Sequence, residues 1–369
     1  MQRTKDIVSG AEDLEPLFTI DNFPVFQGCT NASSDLDIKC PLDFYISKGT
    51  GMVQLKSLLP LELIYQSEHN PGTTGATWLQ HHNEFAEFLT KYHPQNVFEI
   101  GGSHGILSEN CYQLNNRIKW TILEPAPVAV EGLHAELIQG FFTKDTRIDS
   151  AVDMIVHSHV LEHIYDPSEF FASLAKLPMG TRMCFSVPAL ESHIKQKFTN
   201  ALSFEHSYFC TEEFVEYWLS VAGFRILDKQ THRDHSIFYA TERDTVAVLP
   251  VPDSYNKNKQ LFDQYIQYHK QNIDTLNAHI QSATVPVFLF GAHVFSQALI
   301  AMGLDTNLAA VLDNSTLKQN RRLYGTELTV SSPSVLREQD AVVILQAGAY
   351  TEEIRNDILT NINSRTTFI

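Results

Sequence analysis

The sequence predicts an α/β protein. A Rossmann-like domain with a mostly parallel sheet follows a small N-terminal lobe and precedes a second, C-terminal Rossmann-like domain. Three observations predict the first sheet. Residues 97 to 105, Val-Phe-Glu-Ile-Gly-Gly-Ser-His-Gly, are an apolar strand that breaks into a glycine-rich turn. Trp120-Thr-Ile-Leu-Glu124 is a second apolar run ending in an acid. Asp153-Met-Ile-Val-His-Ser-His159 is a third, followed by a polar turn and a helix start at Asp166-Pro167.

Residues 1–78 form a first unit rich in turn residues and short strand-like runs, such as Pro24-Val-Phe-Gln27 and Gly51-Met-Val-Gln-Leu55. Asn70-Pro-Gly-Thr-Thr-Gly75 reads as a loop. A helix follows with Phe85, Phe88, Leu89 and Tyr92 on one face, and Pro94 precedes the strand at Val97. Strand and helix patterns then alternate to residue 245, which bounds a second unit at 79–249. Near its end, Thr211 is placed to cap a helix. Glu212 and Glu213 suit the positive end of its dipole, and Gly223 is placed to stop it. Pro250 and Pro252 open the third unit, 250–369. Leu261, Tyr265, Ile266, Ile273, Leu276 and Ile280 predict a long bracing helix. Three strand ends follow it: Val287-Phe-Leu-Phe-Gly-Ala-His293, Ala309-Ala-Val-Leu-Asp-Asn314 and Asp340-Ala-Val-Val-Ile-Leu345.

The chain of 369 residues carries a formal net charge of -16, with a pI of about 5.4. That balance argues against nucleic acid as a partner, which needs a basic face. It leaves room for a local basic pocket. Five scattered cysteines, at 29, 40, 111, 184 and 210, include no Cys-x-x-Cys and suggest reduced thiols in a cytoplasm. No signal-like core or membrane-length apolar run stands out, so a cytoplasmic protein is expected.

The first two strand ends suit a nucleoside. Glycines at 101, 102 and 105 let backbone approach a ligand, and Glu124 is placed to bind two ribose hydroxyls. The spacing is not the G-x-G-x-x-G of a dinucleotide site. Glu99 would repel a pyrophosphate but suits a cationic amino acid head. S-adenosylmethionine (SAM) is therefore the expected cofactor, contacting Glu99, Gly101, Gly102, Gly105 and Glu124. An NAD-dependent oxidoreductase is the disfavoured rival.

The third strand end strengthens this reading. Val160-Leu161-Glu162-His163-Ile164 with Asp166-Pro167 resembles the post-strand segment of class I SAM-dependent methyltransferases. The resemblance also puts His159 with the cofactor. Three further pieces widen it: Gly51-Met-Val-Gln-Leu55 with Tyr65 downstream, Phe204-Glu-His-Ser-Tyr-Phe209, and the set Phe290-Gly-Ala292, Leu312-Asp-Asn314 and Tyr324-Gly-Thr326. Together they resemble the nucleotide-sugar C-methyltransferases over roughly residues 40–350. Those enzymes methylate a carbon beside the ketone of a deoxysugar linked to a nucleoside diphosphate.

The resemblance implies roles. His206 matches the second histidine of the family's Tyr-His-Glu-His-x-x-Tyr motif and would be the base. Glu205 would orient it or bind a sugar hydroxyl. Tyr65 and His163 are candidate donors to the ketone oxygen. Tyr208 would face the sugar, or else be a core aromatic. His235 and Ser236 would face the substrate, or else lie in a solvated hairpin. The chain also departs from the family. Phe204 replaces the motif's first histidine, and Cys29 and Cys40 cannot supply the usual four-cysteine zinc site. No metal is expected, and the lobe must be held by its own packing or by a partner. An O- or N-methyltransferase on the same scaffold, or a non-catalytic SAM- or nucleotide-binding protein, remain alternatives.

Overall fold

The computed structural model describes residues 1–64, 75–127, 130–201 and 203–369. The N-terminal lobe is built on β1 (Leu14–Pro24), β2 (Cys29–Thr30), β3 (Lys39–Ser47) and β4 (Val53–Leu55), followed by the short α1 (Leu61–Ile64). β1, β3 and β4 form an antiparallel sheet in that order. Phe44, Ile46, Val53 and Leu55 are buried in its core. The turn into β4 needs a glycine. Gly51 has φ 76°, and a Cβ there would stand 2.3 Å from the backbone of Ser254 and Tyr255.

The central domain opens with α2 (Ala76–Thr90), where Phe85, Phe88 and Leu89 are buried at helical spacing. Tyr92, expected on the same helix, lies past its end and packs edge-on against Phe88. Then come β5 (Asn96–Ile100), α3 (Ile106–Leu114), β6 (Lys119–Glu124), β7 (Glu136–Gln139) and β8 (Met154–Ser158). The chain continues through α4 (Pro167–Leu174), β9 (Arg182–Pro188), α5 (Leu190–Lys195), α6 (Glu212–Val221), β10 (Phe224–His232) and β11 (Ser236–Arg243). These strands make one sheet in the order β10-β11-β9-β8-β5-β6-β7. β11 runs against both its neighbours, and the other pairs are parallel. Both faces are covered. Phe98, Ile100, Ile155 and Phe185 pack on one side, and Val97, Met154, Val156 and Phe238 on the other.

Two helix starts show different capping. Asp166 accepts from the Glu169 amide at 2.9 Å, with Pro167 in the first turn of α4. At α6 the helix begins after Thr211 as expected, but the Thr211 side chain makes no capping bond. Its hydroxyl turns to Glu213 instead.

α7 (Tyr255–Ser282) is the long helix, 28 residues, with Phe262, Tyr265, Ile273, Leu276 and Ile280 buried along it. Beyond it lie β12 (Val287–Phe290), α8 (Val294–Ala301), β13 (Ala310–Leu312), β14 (Arg322–Leu323), β15 (Val330–Ser331), β16 (Val342–Ile344), α9 (Thr351–Asp357) and β17 (Thr367–Phe368). Five of these strands form a second parallel sheet in the order β15-β13-β12-β16-β17.

The N-terminal lobe is docked on this last domain. β2 pairs antiparallel with β14. Arg322 grips the Asp37 carboxylate with both terminal nitrogens, at 2.5 and 2.9 Å, and the pair is nearly buried. Gln297 donates to the carbonyls of Phe26 and Tyr324. These contacts hold the lobe against the last domain. Replacing Arg322→Ala leaves Asp37 charged and unpaired, so urea unfolding of the variant should show a loss of about 3 kcal/mol.

Candidate active site

A cavity of about 1260 Å³ opens where the carboxyl ends of β5, β6 and β8 meet the other two units. A crevice at that edge of a parallel sheet is the usual ligand position. Gln27 and Leu61 reach it from the N-terminal lobe, and Gly291, His293 and Tyr350 from the C-terminal domain. Gln27 is nearly buried, and its amide nitrogen has no hydrogen-bond partner.

One pole is the glycine turn after β5. Gly101 has φ 74°, and a Cβ there would meet Val160 at 2.7 Å. A Cβ on Gly102 would meet Ile122 at 2.6 Å and the Glu99 carboxyl at 2.9 Å. Ser103 also holds a left-handed backbone, φ 47°, fixed because its amide donates to Glu124 at 3.0 Å. Glu124 accepts a second bond from the Ala126 amide. A carboxylate offers about four acceptor positions, so two remain for ribose hydroxyls. Glu99 also lines the cavity, but it accepts from the Trp120 indole at 2.7 Å. Burial, only partly offset by that bond, raises its pKa to about 7. Gly105 does not line the cavity. Its left-handed backbone, φ 71°, starts α3 against Leu133, so its role is conformational, a correction to the expected cofactor contact.

The middle of the cavity is crowded with imidazoles and acids. His159 follows β8 with φ 52°, a strained position for a residue with a side chain. Its amide donates to Ser186, and its ring bonds the Ser236 hydroxyl at 2.7 Å. Behind it Glu162 is fully buried. Burial would raise its pKa, but His159 and His163 outweigh burial and hold it below the usual value. His163 lies 3.9 Å from Glu205, and its ring stands 5.1 Å from that of His206. Burial, with Glu162 nearby, pushes Glu205 up to about 8, so it is a neutral acid at pH 7. Burial, with His159 and His193 nearby, pushes His206 down to about 3, so it is a neutral imidazole. Glu205, His206 and His163 all line the cavity.

Backbone pairing with the N-terminal lobe positions this segment. Leu55 donates to Ser207, and Phe209 donates to Val53. Arg3 is buried and donates to the carbonyls of Ser207 and Tyr165.

Two residues expected to face the substrate, Tyr208 and Ser236, are buried off the cavity lining. Tyr208 is buried against Trp218, donates its hydroxyl to the Leu161 carbonyl, and is a core residue. Ser236 is fully buried and bonds His159 and His235. It positions those rings and does not reach the cavity. His235 does line the cavity. The hairpin is split. His232 and His235 are buried, while Arg233 and Asp234 face solvent. Tyr65 lies outside the described residues.

Sequence reasoning missed Trp78, His81 and His82 on α2, as well as His193 and Tyr350. Trp78 packs edge-on against His235 and His159, with ring centres 4.6 and 4.9 Å apart. A signal was present. Trp78, His81, His82 and Phe85 share one face at helical spacing. The two cysteines of the lobe sit on different strands, Cys29 on β2 and Cys40 on β3. Cys29 donates to the Ala292 carbonyl, whereas Cys40 pairs with Phe23 in the β1–β3 ladder.

Comparison with known proteins agrees with this architecture. Residues 76–229 match the model of a methyltransferase domain, and residues 228–369 match that of a C-methyltransferase C-terminal domain. The chain therefore carries a class I methyltransferase domain whose cofactor is SAM, and the glycine turn and Glu124 fit that group. No curated protein matches the chain. Among solved structures, a mitomycin 7-O-methyltransferase aligns with TM-score 0.40 and 19% identity, over 46% of this chain and 55% of that one. Human N-acetylserotonin methyltransferase in complex with SAM aligns with TM-score 0.37 and 17% identity, over 51% of this chain and 61% of that one. This chain thus spans little more than half the length of these structures, and the likeness is too distant to bear on substrate.

Glu124→Ala removes the two acceptor positions a ribose would use and the anchor of the Ser103 amide. Calorimetric titration with SAM should show a loss on the order of 2–4 kcal/mol of binding. Unchanged affinity would remove Glu124 from the cofactor site.

Proposed function

We propose that the chain transfers a methyl group from SAM to a carbon beside the ketone of a sugar linked to a nucleoside diphosphate. One observation carries this reading. A single cavity joins the SAM turn, the Glu205–His206 pair and the glycine turn of the C-terminal domain. Its volume, about 1260 Å³, exceeds what one small ligand usually fills, so donor and an extended acceptor fit together. Lys318 lies beside that second turn, paired with Asp313, and suits a phosphate within an otherwise acidic protein. The match of residues 228–369 to a C-methyltransferase C-terminal domain supports carbon as the acceptor.

When bound, SAM supplies a methyl group already activated by its sulfonium. The chain's own residues must make the carbon nucleophilic. His206 is unprotonated at neutral pH and takes the proton alpha to the ketone. An imidazole held near 3 is a weak base, so the enolate oxygen needs strong donors. Glu205, a neutral acid, is placed to donate to that oxygen, and His163 stands beside it. The resemblance alone suggested a carboxylate that orients the base. Burial makes a proton donor the better role.

Oxygen or nitrogen as the acceptor is the second reading. It is favoured by Phe204, which is buried edge-on against Phe23 where the family carries a second imidazole.

Mass spectrometry with a panel of nucleoside-diphosphate keto sugars should show gain of one methyl group on carbon. His206→Ala and His206→Asn should turn over about 10²–10⁴-fold more slowly while SAM still binds. Both should also stop solvent deuterium from entering the alpha carbon. Wild-type turnover in both would make His206 structural. The pH profile tests Glu205 separately. A group that must stay protonated gives full activity below its pKa, so kcat/KM should fall as pH rises through about 8. Glu205→Gln should abolish that limb, and a limb that persists in the variant would assign it elsewhere.

A further inference from the structure

Six histidines, at 81, 82, 159, 193, 232 and 235, gather at one side of the cavity, four of them on its lining, and the proposed proton transfer uses none of them. We propose that His81, His159 and His235 form a binding site for a divalent transition-metal cation of the zinc type. This inference stands apart from the acceptor reading above and does not depend on it.

The geometry supports it. One ring nitrogen from each of the three lies within 4.8 Å of the other two. The ring centres make a nearly equilateral triangle, with sides of 5.3, 5.4 and 5.4 Å. In a tetrahedral site with metal–nitrogen bonds of about 2.0–2.1 Å, imidazole centres stand about 5 Å apart. The ring centres are thus spaced as such a site needs, and the nitrogens, within 4.8 Å of one another, must close to about 3.4 Å by pivoting of the rings.

Hydrogen bonding points the same way. His81 is fully buried, and neither of its ring nitrogens has a hydrogen-bond partner. His157, His193 and His269 share that state, but of these four only His81 belongs to a group of three possible ligands among the described residues. Ser236 contacts one nitrogen of His159 at 2.7 Å and one of His235 at 2.6 Å. Such a hydroxyl is the kind of outer contact that orients metal-binding imidazoles. The other nitrogens are Nδ1 of His159, 3.5 Å from Glu162, and Nε2 of His235, 3.1 Å from the Tyr350 hydroxyl, and a cation bound through them would displace those contacts.

The ligand type selects the metal. Three imidazoles favour zinc, cobalt, nickel or copper over magnesium or calcium, which take oxygen. Neutral rings are the form that binds metal. His159 and His235 line the cavity while His81 lies behind them. The fourth position therefore faces the cavity, beside Trp78. Three protein ligands with one open position is the arrangement of a reactive site rather than a structural one. The sequence argument against metal considered only thiolates. The three histidines come from α2, the turn after β8 and the β10–β11 hairpin, so no local spacing announces them.

The test uses the full chain without an affinity tag. Titration with Co²⁺ should give the intense visible absorption of a four-coordinate site, saturating at one ion per chain. Zn²⁺ should displace it, and excess Mg²⁺ should not. His81→Phe keeps ring volume beside Phe85 and Phe238 but removes a ligand. Loss of an outer partner already costs about 10–100-fold in affinity, so loss of a ligand should cost at least about 100-fold. X-ray absorption of the zinc-loaded wild type needs no variant, and should show imidazole nitrogen and no sulfur in the first shell. Three results overturn the proposal: no stoichiometric binding, unchanged affinity in His81→Phe, or a sulfur-containing shell.

Discussion

The cavity depends on one backbone interaction. β4 pairs with residues 207–209, through Leu55 to Ser207 and Phe209 to Val53. This joins two segments about 150 residues apart and makes the N-terminal lobe the scaffold of the Glu205–His206 turn. Arg3 reinforces it from below with charged donors to Ser207 and Tyr165. Burial lowers the guanidinium to about 10, still far above neutral pH, so these bonds keep their charge. The lobe in turn is pinned to the C-terminal domain through β2, β14 and the Asp37–Arg322 pair. The Glu205–His206 turn, the lobe and the last domain therefore form a closed loop of contacts around the cavity.

That closure produces the unusual electrostatics. Taking ionisable groups out of water disfavours their charged forms. Acids rise and imidazoles fall, so Glu205 is a neutral acid at pH 7, against its ordinary tendency, and His206 is held firmly as the neutral imidazole. A neutral acid donates and a neutral imidazole accepts, which is the pair that enolisation of a ketone requires. Glu162 is the exception. Equally buried, it stays on the acidic side because His159 and His163 flank it. Left-handed backbone at Ser103 and His159 marks the same region, held by Glu124 and by Ser186 and Ser236. Strain of this kind persists where surrounding bonds over-determine it, and here it lies on the cavity wall.

Much of the architecture was legible in the residues. Strand ends at Ile100, Glu124 and Ser158 follow from apolar runs broken by glycine or polar residues, since parallel strands are buried on both faces. α7 follows from its helical spacing. Where reading failed, a local rule met a nonlocal contact. Thr211 stands at a cap position but turns to Glu213. Tyr208 sits in a motif that suggested substrate contact, yet Trp218 and the Leu161 carbonyl claim it. Gly105 belongs to the glycine turn, but only its backbone conformation is used.

The sequence by itself determined the order of strands and helices, the glycine turn and its acid, and the pairing of Glu205 with His206. These depend on side-chain period and on neighbours within a few positions, which a linear chain displays directly. Only the tertiary structure decided which way side chains face and what surrounds them. Burial makes Glu205 a donor, removes Tyr208 and Ser236 from the cavity, and gathers His81, His159 and His235 from three separate elements. Protonation state and ligand geometry depend on distances across space, and those distances exist only after the sheet, its covering helix and the two flanking units have packed together.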